Sequence, residues 1–387
     1  MSEIMNILLT CGETSGEYHA GLLVSELKKI ENNCRIIALG GEKLRRAGAE
    51  VSFPMERYAL MGFSEIISGL PGIISLERKL KAVIEKGNID LFIPVDYPGM
   101  NLRLAKFAHR RGVPVLYFIS PQVWAWGKWR IKKMKGNIDL MTVILPFEKR
   151  LYEDARIPVY FARHPALEEI AHPGGKKELP EDQKDFKVLL FPGSRLQEVK
   201  RILPPILEGA RNIHKKFPSA SFILGLAPMI KENDIEIPAD IYPYIKVSRK
   251  GLTKLKEVTL VLAASGTVTL QTAISGTPMI TIYKTSVFNY LLGKILIQIP
   301  YVALPNVLAG RMIVPEMIQG RADGENIATE ALDLLTDADR YRKVSGELLN
   351  IREKLKGGGK LSDVAEMAFK LARGENIEAK KTRRAFY

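Results

Sequence analysis

Cysteine is scarce in this sequence: Cys11 and Cys34 are the only two thiols in 387 residues. Both lie in apolar, strand-like stretches, so no disulfide framework is expected and a reducing cytoplasm suits the chain. Histidine is scarce too, at five, and none is spaced with the cysteines as a ligand set, so neither a metal nor another cofactor is expected. There is no Walker A lysine loop, no Gly-x-Ser-x-Gly elbow and no module of interleaved basic and aromatic residues. These absences argue against a P-loop NTPase, an α/β-hydrolase and a nucleic-acid binder. Long apolar runs are missing as well. The two most apolar stretches, residues 58–76 and 287–308, are broken by Glu65 and Pro71 and by Lys294, Pro300 and Pro305, so neither reads as a transmembrane helix. The chain runs from its first residues straight into a strand, and no signal peptide is expected.

What is present is a globular composition, 46% hydrophobic and 26% charged, on a length that suits two domains. The formal net charge of +14 favours anionic partners such as phosphates or an acidic lipid surface. The basic residues are spread along the chain rather than clustered, so no nucleic-acid partner is expected. The two apolar stretches read either as core or as an exposed lip that touches a membrane or holds acyl chains.

Strand and helix signals alternate. Strands are expected at 6–11, 35–39, 91–95, 115–119 and 140–145, with helices at 18–30, 42–47, 76–86 and 102–111. After a charged linker around 165–187 the pattern restarts, with strands at 188–191, 221–226, 245–247, 260–263 and 279–283. A helix at 196–213 and closing helices at 328–335 and 362–373 complete it. This alternation implies right-handed βαβ units on parallel sheets. The expected fold class is α/β, two Rossmann-like domains facing a cleft. Their expected bounds are 1–170 and 171–387, with the last helix a candidate to return to the first domain. Ligands should bind at the carboxyl ends of the strands.

The stretch Lys187–Arg195 joins a short apolar strand to a helix through Pro192 and Gly193. Unpaired N–H groups, a helix dipole and a glycine make such a turn suitable for phosphate, and the Arg195 guanidinium could bridge a diphosphate. An ordinary strand-to-helix connection is the plain alternative. A second glycine turn, Ser265-Gly266-Thr267, occurs in the same half and favours a joint nucleotide-diphosphate site over plain helix capping. Asp96 follows a strand and precedes a turn at Pro98-Gly99, where a general base belongs, although an Asx-turn residue would look the same. Glu17 and His19 follow a first glycine turn, 12–16, and are the next candidate bases. Trp124 and Trp126 suit a sugar ring or an acyl chain, or simply the core. The run Arg130, Lys132, Lys133, Lys135 reads as a solvated helix face, and His164-Pro165 reads as a hinge between the halves.

Taken in order, several of these stretches resemble the lipid-A-disaccharide synthase family. They are Gly12-Glu13-Thr14-Ser15-Gly16, Asp96-Tyr97-Pro98-Gly99-Met100-Asn101, Ser120-Pro121-Gln122-Val123-Trp124-Ala125-Trp126 and Leu145-Pro146-Phe147-Glu148. They continue with His164-Pro165, Pro192-Gly193-Ser194-Arg195, Ser265-Gly266-Thr267, Leu304-Pro305-Asn306 and Pro315-Glu316-Met317-Ile318-Gln319. The resemblance implies a GT-B fold and an inverting, metal-free transfer. The donor would be UDP-2,3-diacylglucosamine and the acceptor 2,3-diacylglucosamine 1-phosphate, with UDP released. It implies Asp96 as base, and Gly193, Ser194, Arg195, Ser265, Gly266, Thr267, Asn306, Glu316 and Gln319 around UDP. Ser15, Gly16, Asn101, Trp124 and Trp126 would lie on the acceptor side. A peripheral position on the inner membrane and a homodimer as a candidate assembly complete the expectation. A UDP-sugar epimerase of the same fold and a non-catalytic binding relative are the alternatives. Three departures stand out: Glu17 where the family has aspartate, Arg163 where it has glycine, and Gln271 where it has glutamate. A glycine site suggests positive φ, hence strain at Arg163. Gln271 replaces a charged ribose partner with a neutral one.

Overall fold

A computed structural model describes residues 4–55, 63–170, 174–180 and 185–377, except for the side chains of 14–15 and 63–71. Two compact units emerge, Met1–Pro165 with Gly357–Tyr387, and Ala166–Lys356.

In the first unit the strands are β1 (Asn6–Cys11), β2 (Arg35–Gly40), β3 (Glu50–Pro54), β4 (Leu91–Val95), β5 (Leu116–Phe118), β6 (Leu140–Val143) and β7 (Val159–Phe161). They form one parallel sheet in the order β3-β2-β1-β4-β5-β6-β7. Helices α1 (Thr14–Ile30), α2 (Glu42–Arg46), α3 (Phe63–Lys86), α4 (Pro98–Arg110), α5 (Ile131–Met134) and α6 (Pro146–Asp154) connect them. Parallel strands covered on both faces need apolar side chains throughout, and β1 and β4 are almost uniformly so. Pro94 has no N–H to donate. The β4–β5 ladder is correspondingly sparse, pairing Val95 with Phe118 and bridging Phe92 with Val115. Leu8, Phe92, Tyr117 and Tyr152 anchor the core. Strands β3 and β7 were not expected from the sequence. Of the apolar stretch 58–76, residues 56–62 and the side chains of 63–71 lie outside the described residues; Leu76 is buried and Ile74 is exposed.

The second unit holds helix α7 (Ala166–Glu169) and strands β8 (Lys187–Phe191), β9 (Ser221–Gly225), β10 (Ile245–Ser248), β11 (Leu260–Ala264), β12 (Met279–Tyr283) and β13 (Glu316–Ile318). They are again parallel, in the order β10-β9-β8-β11-β12-β13. Its remaining helices are α8 (Leu196–Lys216), α9 (Thr267–Ser275), α10 (Val287–Leu296), α11 (Leu304–Ala309), α12 (Gly324–Thr336) and α13 (Ala338–Lys356).

The last helix, α14 (Leu361–Ala372), packs against α1 of the first unit. A glycine run precedes it for a steric reason. A Cβ on Gly358 would stand 2.4 Å from the backbone of Ala162 and Arg163, so only glycine lets the chain run beside β7. The Arg163 N–H donates to the Gly359 carbonyl at 2.8 Å, and Arg163 is not among the positive-φ residues. The strain expected at Arg163 is therefore not there. A short bridge, not a left-handed turn, occupies this position.

Candidate active site

Each sheet reverses its winding once, between β1 and β4 and between β8 and β11. The carboxyl ends of those strands are where an open α/β sheet leaves room for ligand.

In the first unit, three non-glycine residues at these ends have left-handed backbones: Asp96 (φ 45°), Tyr97 (φ 46°) and Ile119 (φ 62°). Each such residue costs about 1–3 kcal/mol and survives only where its surroundings impose it. Asn101, fully buried in the first turn of α4, is the main constraint. Its Nδ2 donates to the Asp96 carbonyl at 2.9 Å and the Val95 carbonyl at 3.2 Å, while its Oδ1 accepts from the Thr10 hydroxyl at 2.8 Å. The Tyr117 hydroxyl donates to the same Asp96 carbonyl at 2.6 Å. The tips of β1, β4 and β5 are thus tied to the Asp96 main chain. Gly12 ends β1 beneath the Tyr97 ring, which a Cβ would meet at 2.4 Å. Burial pushes the Asp96 carboxyl up to about 7, and the negative charge of Glu13 adds to the effect against an opposing hydrogen bond from the Tyr97 N–H. A carboxylate titrating there is matched to taking a proton near neutral pH.

A second raised carboxyl belongs to Glu148, which the sequence reading carried only as part of a motif. It is buried and pushed up to about 8, chiefly by burial, with Asp96 adding slightly. The Trp124 indole N–H donates to Oε1 at 3.0 Å and the Leu145 N–H to Oε2 at 3.1 Å.

Several expected ligand residues make contacts within the protein. Trp124 is buried edge-on against Phe147, so its faces are not open to a sugar. Trp126 is exposed and carries the Arg130 guanidinium 4.1 Å above its ring; neighbouring Trp129 carries Lys133 at 4.6 Å. The basic run is therefore partly a cation–aromatic patch, which the spacing of Trp126 and Trp129 could have signalled. The Glu17 carboxylate accepts from the N–H groups of Lys43 at 2.8 Å and Leu44 at 3.4 Å and so caps α2. His19 is buried against His164, ring centroids 5.9 Å apart, and burial lowers it to about 4. A capping carboxylate and a histidine that stays neutral are poor replacements for Asp96. Asn101 holds the backbone of the Asp96 turn. Gly16 packs buried against Val95, and the Ser15 side chain lies outside the described residues.

In the second unit the two glycine turns lie side by side at the ends of β8 and β11. Gly193 has φ 125°, open only to glycine, and Ser194 and Arg195 are exposed at the start of α8. Gly266 and Thr267 are exposed at the start of α9. The Ser265 hydroxyl donates to the Val302 carbonyl at 2.7 Å, which anchors the next loop. Two further expected ligands brace the segments on either side of α11. Glu316 accepts from the N–H groups of Val302 and Ala303 at 3.0–3.2 Å and from Asn306 Nδ2 at 2.8 Å. The Asn306 Oδ1 accepts from Ile313 and Val314 at 2.8 and 2.9 Å. Gln319 stitches both backbone groups of Thr285, at 2.7 and 3.2 Å. Gln271 is buried and donates to the Glu169 carboxylate on α7. Among the described residues no three His, Cys, Asp or Glu side chains group as a metal site.

A family model for lipid-A-disaccharide synthetase matches residues 7–365. The lipid-A-disaccharide synthase of Nitrosococcus oceani is 38% identical over 383 residues, covering 96% of this chain and 97% of that protein. The Syntrophus aciditrophicus enzyme of the same name is 38% identical over 375 residues, covering 94% and 97%. Among solved structures, the glycotransferase of kitacinnamycin superimposes with a TM-score of 0.65 at 15% identity, covering 96% of this chain and all of that one. A Staphylococcus aureus MnaA–UDP co-structure gives 0.62 at 14%, covering 97% and 98%. The distant structures speak to the fold alone: two Rossmann-like domains of the GT-B type.

Proposed function

Because the chain belongs to the lipid-A-disaccharide synthetase family, and is a glycosyltransferase of lipid A biosynthesis, we propose that its two units divide one transfer reaction. The second unit holds the diphosphate of a UDP-sugar donor on the turns 192–195 and 265–267. The first supplies Asp96 as general base. Asp96 takes the proton of an acceptor hydroxyl, and the freed oxygen attacks the anomeric carbon. The bond from that carbon to the diphosphate breaks on the opposite face, so configuration inverts. UDP leaves with its developing charge met by backbone N–H groups and Arg195. The donor is UDP-2,3-diacylglucosamine and the acceptor 2,3-diacylglucosamine 1-phosphate, the substrates that the motif resemblance implies. Solved UDP-N-acetylglucosamine 2-epimerases share the fold, but a likeness at 14% identity carries no function.

The observation that carries the assignment of the base is a carboxyl raised to about 7 on a left-handed turn tied to three strands. UDP release, measured with and without acceptor, tests it. Asp96→Asn should keep UDP binding and lose roughly 10²–10⁴-fold in turnover; turnover within a few-fold of wild type would remove Asp96 from the role.

The same proposal puts the protein at an anionic membrane surface. No helix among the described residues is long and apolar enough to cross a membrane. Helix α10, however, buries none of its residues and exposes Phe288 (74%), Ile295 (80%), Val287 and Leu291. An amphipathic helix of this kind suits the boundary between headgroups and acyl chains.

A further inference from the structure

The donor turn already holds an anion, and it is the chain's own. Glu198 lies in the first turn of α8, and its Oε2 accepts from the Ser194 N–H at 3.0 Å. A Cβ placed on Gly193 would meet that oxygen at 2.2 Å and the carboxyl carbon at 2.5 Å. The carboxylate therefore lies in the concavity that the absence of a side chain at Gly193 opens. Burial raises the Glu198 carboxyl above its ordinary value, while the N–H groups of Ser194 and Arg195 and the Arg195 guanidinium favour its charged form. Across the sheet end, Tyr283 at the tip of β12 feels the same charge.

We propose that Glu198 is a resident stand-in for the donor's diphosphate, which must displace it from the Ser194–Arg195 backbone before the donor can bind. This inference rests on the reading of residues 192–195 as the diphosphate turn. Each backbone N–H has one hydrogen, so a carboxylate and a phosphoryl oxygen cannot both take it. The carboxylate keeps the turn in its binding shape when no donor is present, since a Glu three residues into a helix satisfies donors that would otherwise be orphaned. It also sets a threshold: weakly held anions, such as inorganic phosphate, do not displace a tethered carboxylate, whereas a nucleoside diphosphate does.

Calorimetric titration of UDP and of uridine into the full chain tests this. Glu198→Gln and Glu198→Ala should bind UDP roughly tenfold more tightly, the scale of one charge-assisted hydrogen bond no longer competed for, with uridine affinity unchanged. Glu198→Asp keeps a charge in the first turn of the helix but is one methylene too short to lie over Gly193, so it should also bind UDP more tightly. Equal or weaker UDP binding by all three variants would overturn the proposal and make Glu198 a helix cap alone. Equal tightening for uridine would overturn it too, because the gain would not be at the phosphates. If wild-type protein binds UDP no better than uridine, the reading of the turn itself fails, separately from the role of Glu198.

Discussion

Asp96→Asn should remove activity and at the same time stabilise the fold at neutral and alkaline pH. The carboxyl rises from an ordinary value of 3.8 to about 7. At about 1.4 kcal/mol per unit, keeping it charged in the folded protein costs at most about 4 kcal/mol. Partial solvation of the group makes that an upper bound. The sign follows from which state holds the proton. Below about pH 4 both folded and unfolded chains carry it, and variant and wild type should be equal. Between about 4 and 7 the folded chain keeps a proton that the unfolded chain has released, so wild-type stability falls as pH rises. Above about 7 the full cost stands and the variant's advantage is greatest. Asparagine is the informative replacement because it tolerates φ near +45° about as well as aspartate. The bonds from Asn101 and Tyr117 go to the Asp96 carbonyl and survive the substitution. Urea unfolding at pH 4 and pH 8, followed by a probe in the first unit, measures it. A variant no more stable than wild type at pH 8 would show that the carboxyl is not held charged against burial, and the case for it as a tuned base would go with it.

Gln271→Glu would set a second carboxylate against Glu169, so it should lower thermal stability without tightening UDP binding, and Glu169→Gln should restore stability; tighter UDP binding with unchanged stability would return position 271 to the ribose. Asn101→Ala strands the Thr10 hydroxyl and takes one donor each from the Val95 and Asp96 carbonyls, the latter keeping Tyr117, and should cost about 3 kcal/mol, with turnover falling as the Asp96 turn relaxes; an unchanged unfolding midpoint would refute its positioning role. Phe288→Glu with Ile295→Glu should reduce partition into anionic liposomes while changing stability by no more than about 0.5 kcal/mol, because both side chains are exposed. Unaltered partition would take the membrane contact away from α10.

Much of the fold is legible in the sequence because uniformly apolar strands such as β1 and β4 alternate with amphipathic helices and end on glycine or proline. Strands β3, β7 and β13 are harder to see. The first is half-exposed with polar positions, and the other two are three residues long, too short for any period to show. The two glycine turns and Asp96 were equally legible, since their chemistry lies in local order: strand, tight turn, helix. What could not be read was employment. Nothing in the spacing says that Glu17 caps α2, that Trp124 serves Glu148, or that Gln271 meets Glu169, because those partners come from other elements.

That division has a chemical consequence. The side chains of Asn101, Ser265, Asn306, Glu316 and Gln319 are spent on backbone groups. Three of the last four brace the segments on either side of α11: Ser265 holds the Val302 carbonyl, Glu316 the N–H groups of Val302 and Ala303, and Asn306 the N–H groups of Ile313 and Val314. Buried amides and carboxylates used in this way do not add affinity through their own charge. They set where main-chain groups stand, and a main-chain N–H cannot be deleted by substitution. Exposed Ser194, Arg195 and Thr267 offer such groups to a phosphate that carries no side-chain identity of its own. If these turns hold the diphosphate as proposed, its recognition depends on backbone geometry, and that geometry depends on residues that need never touch the ligand. Substitutions in the network should accordingly act on stability and donor affinity together, whereas Asp96→Asn should shift stability and leave donor affinity unchanged.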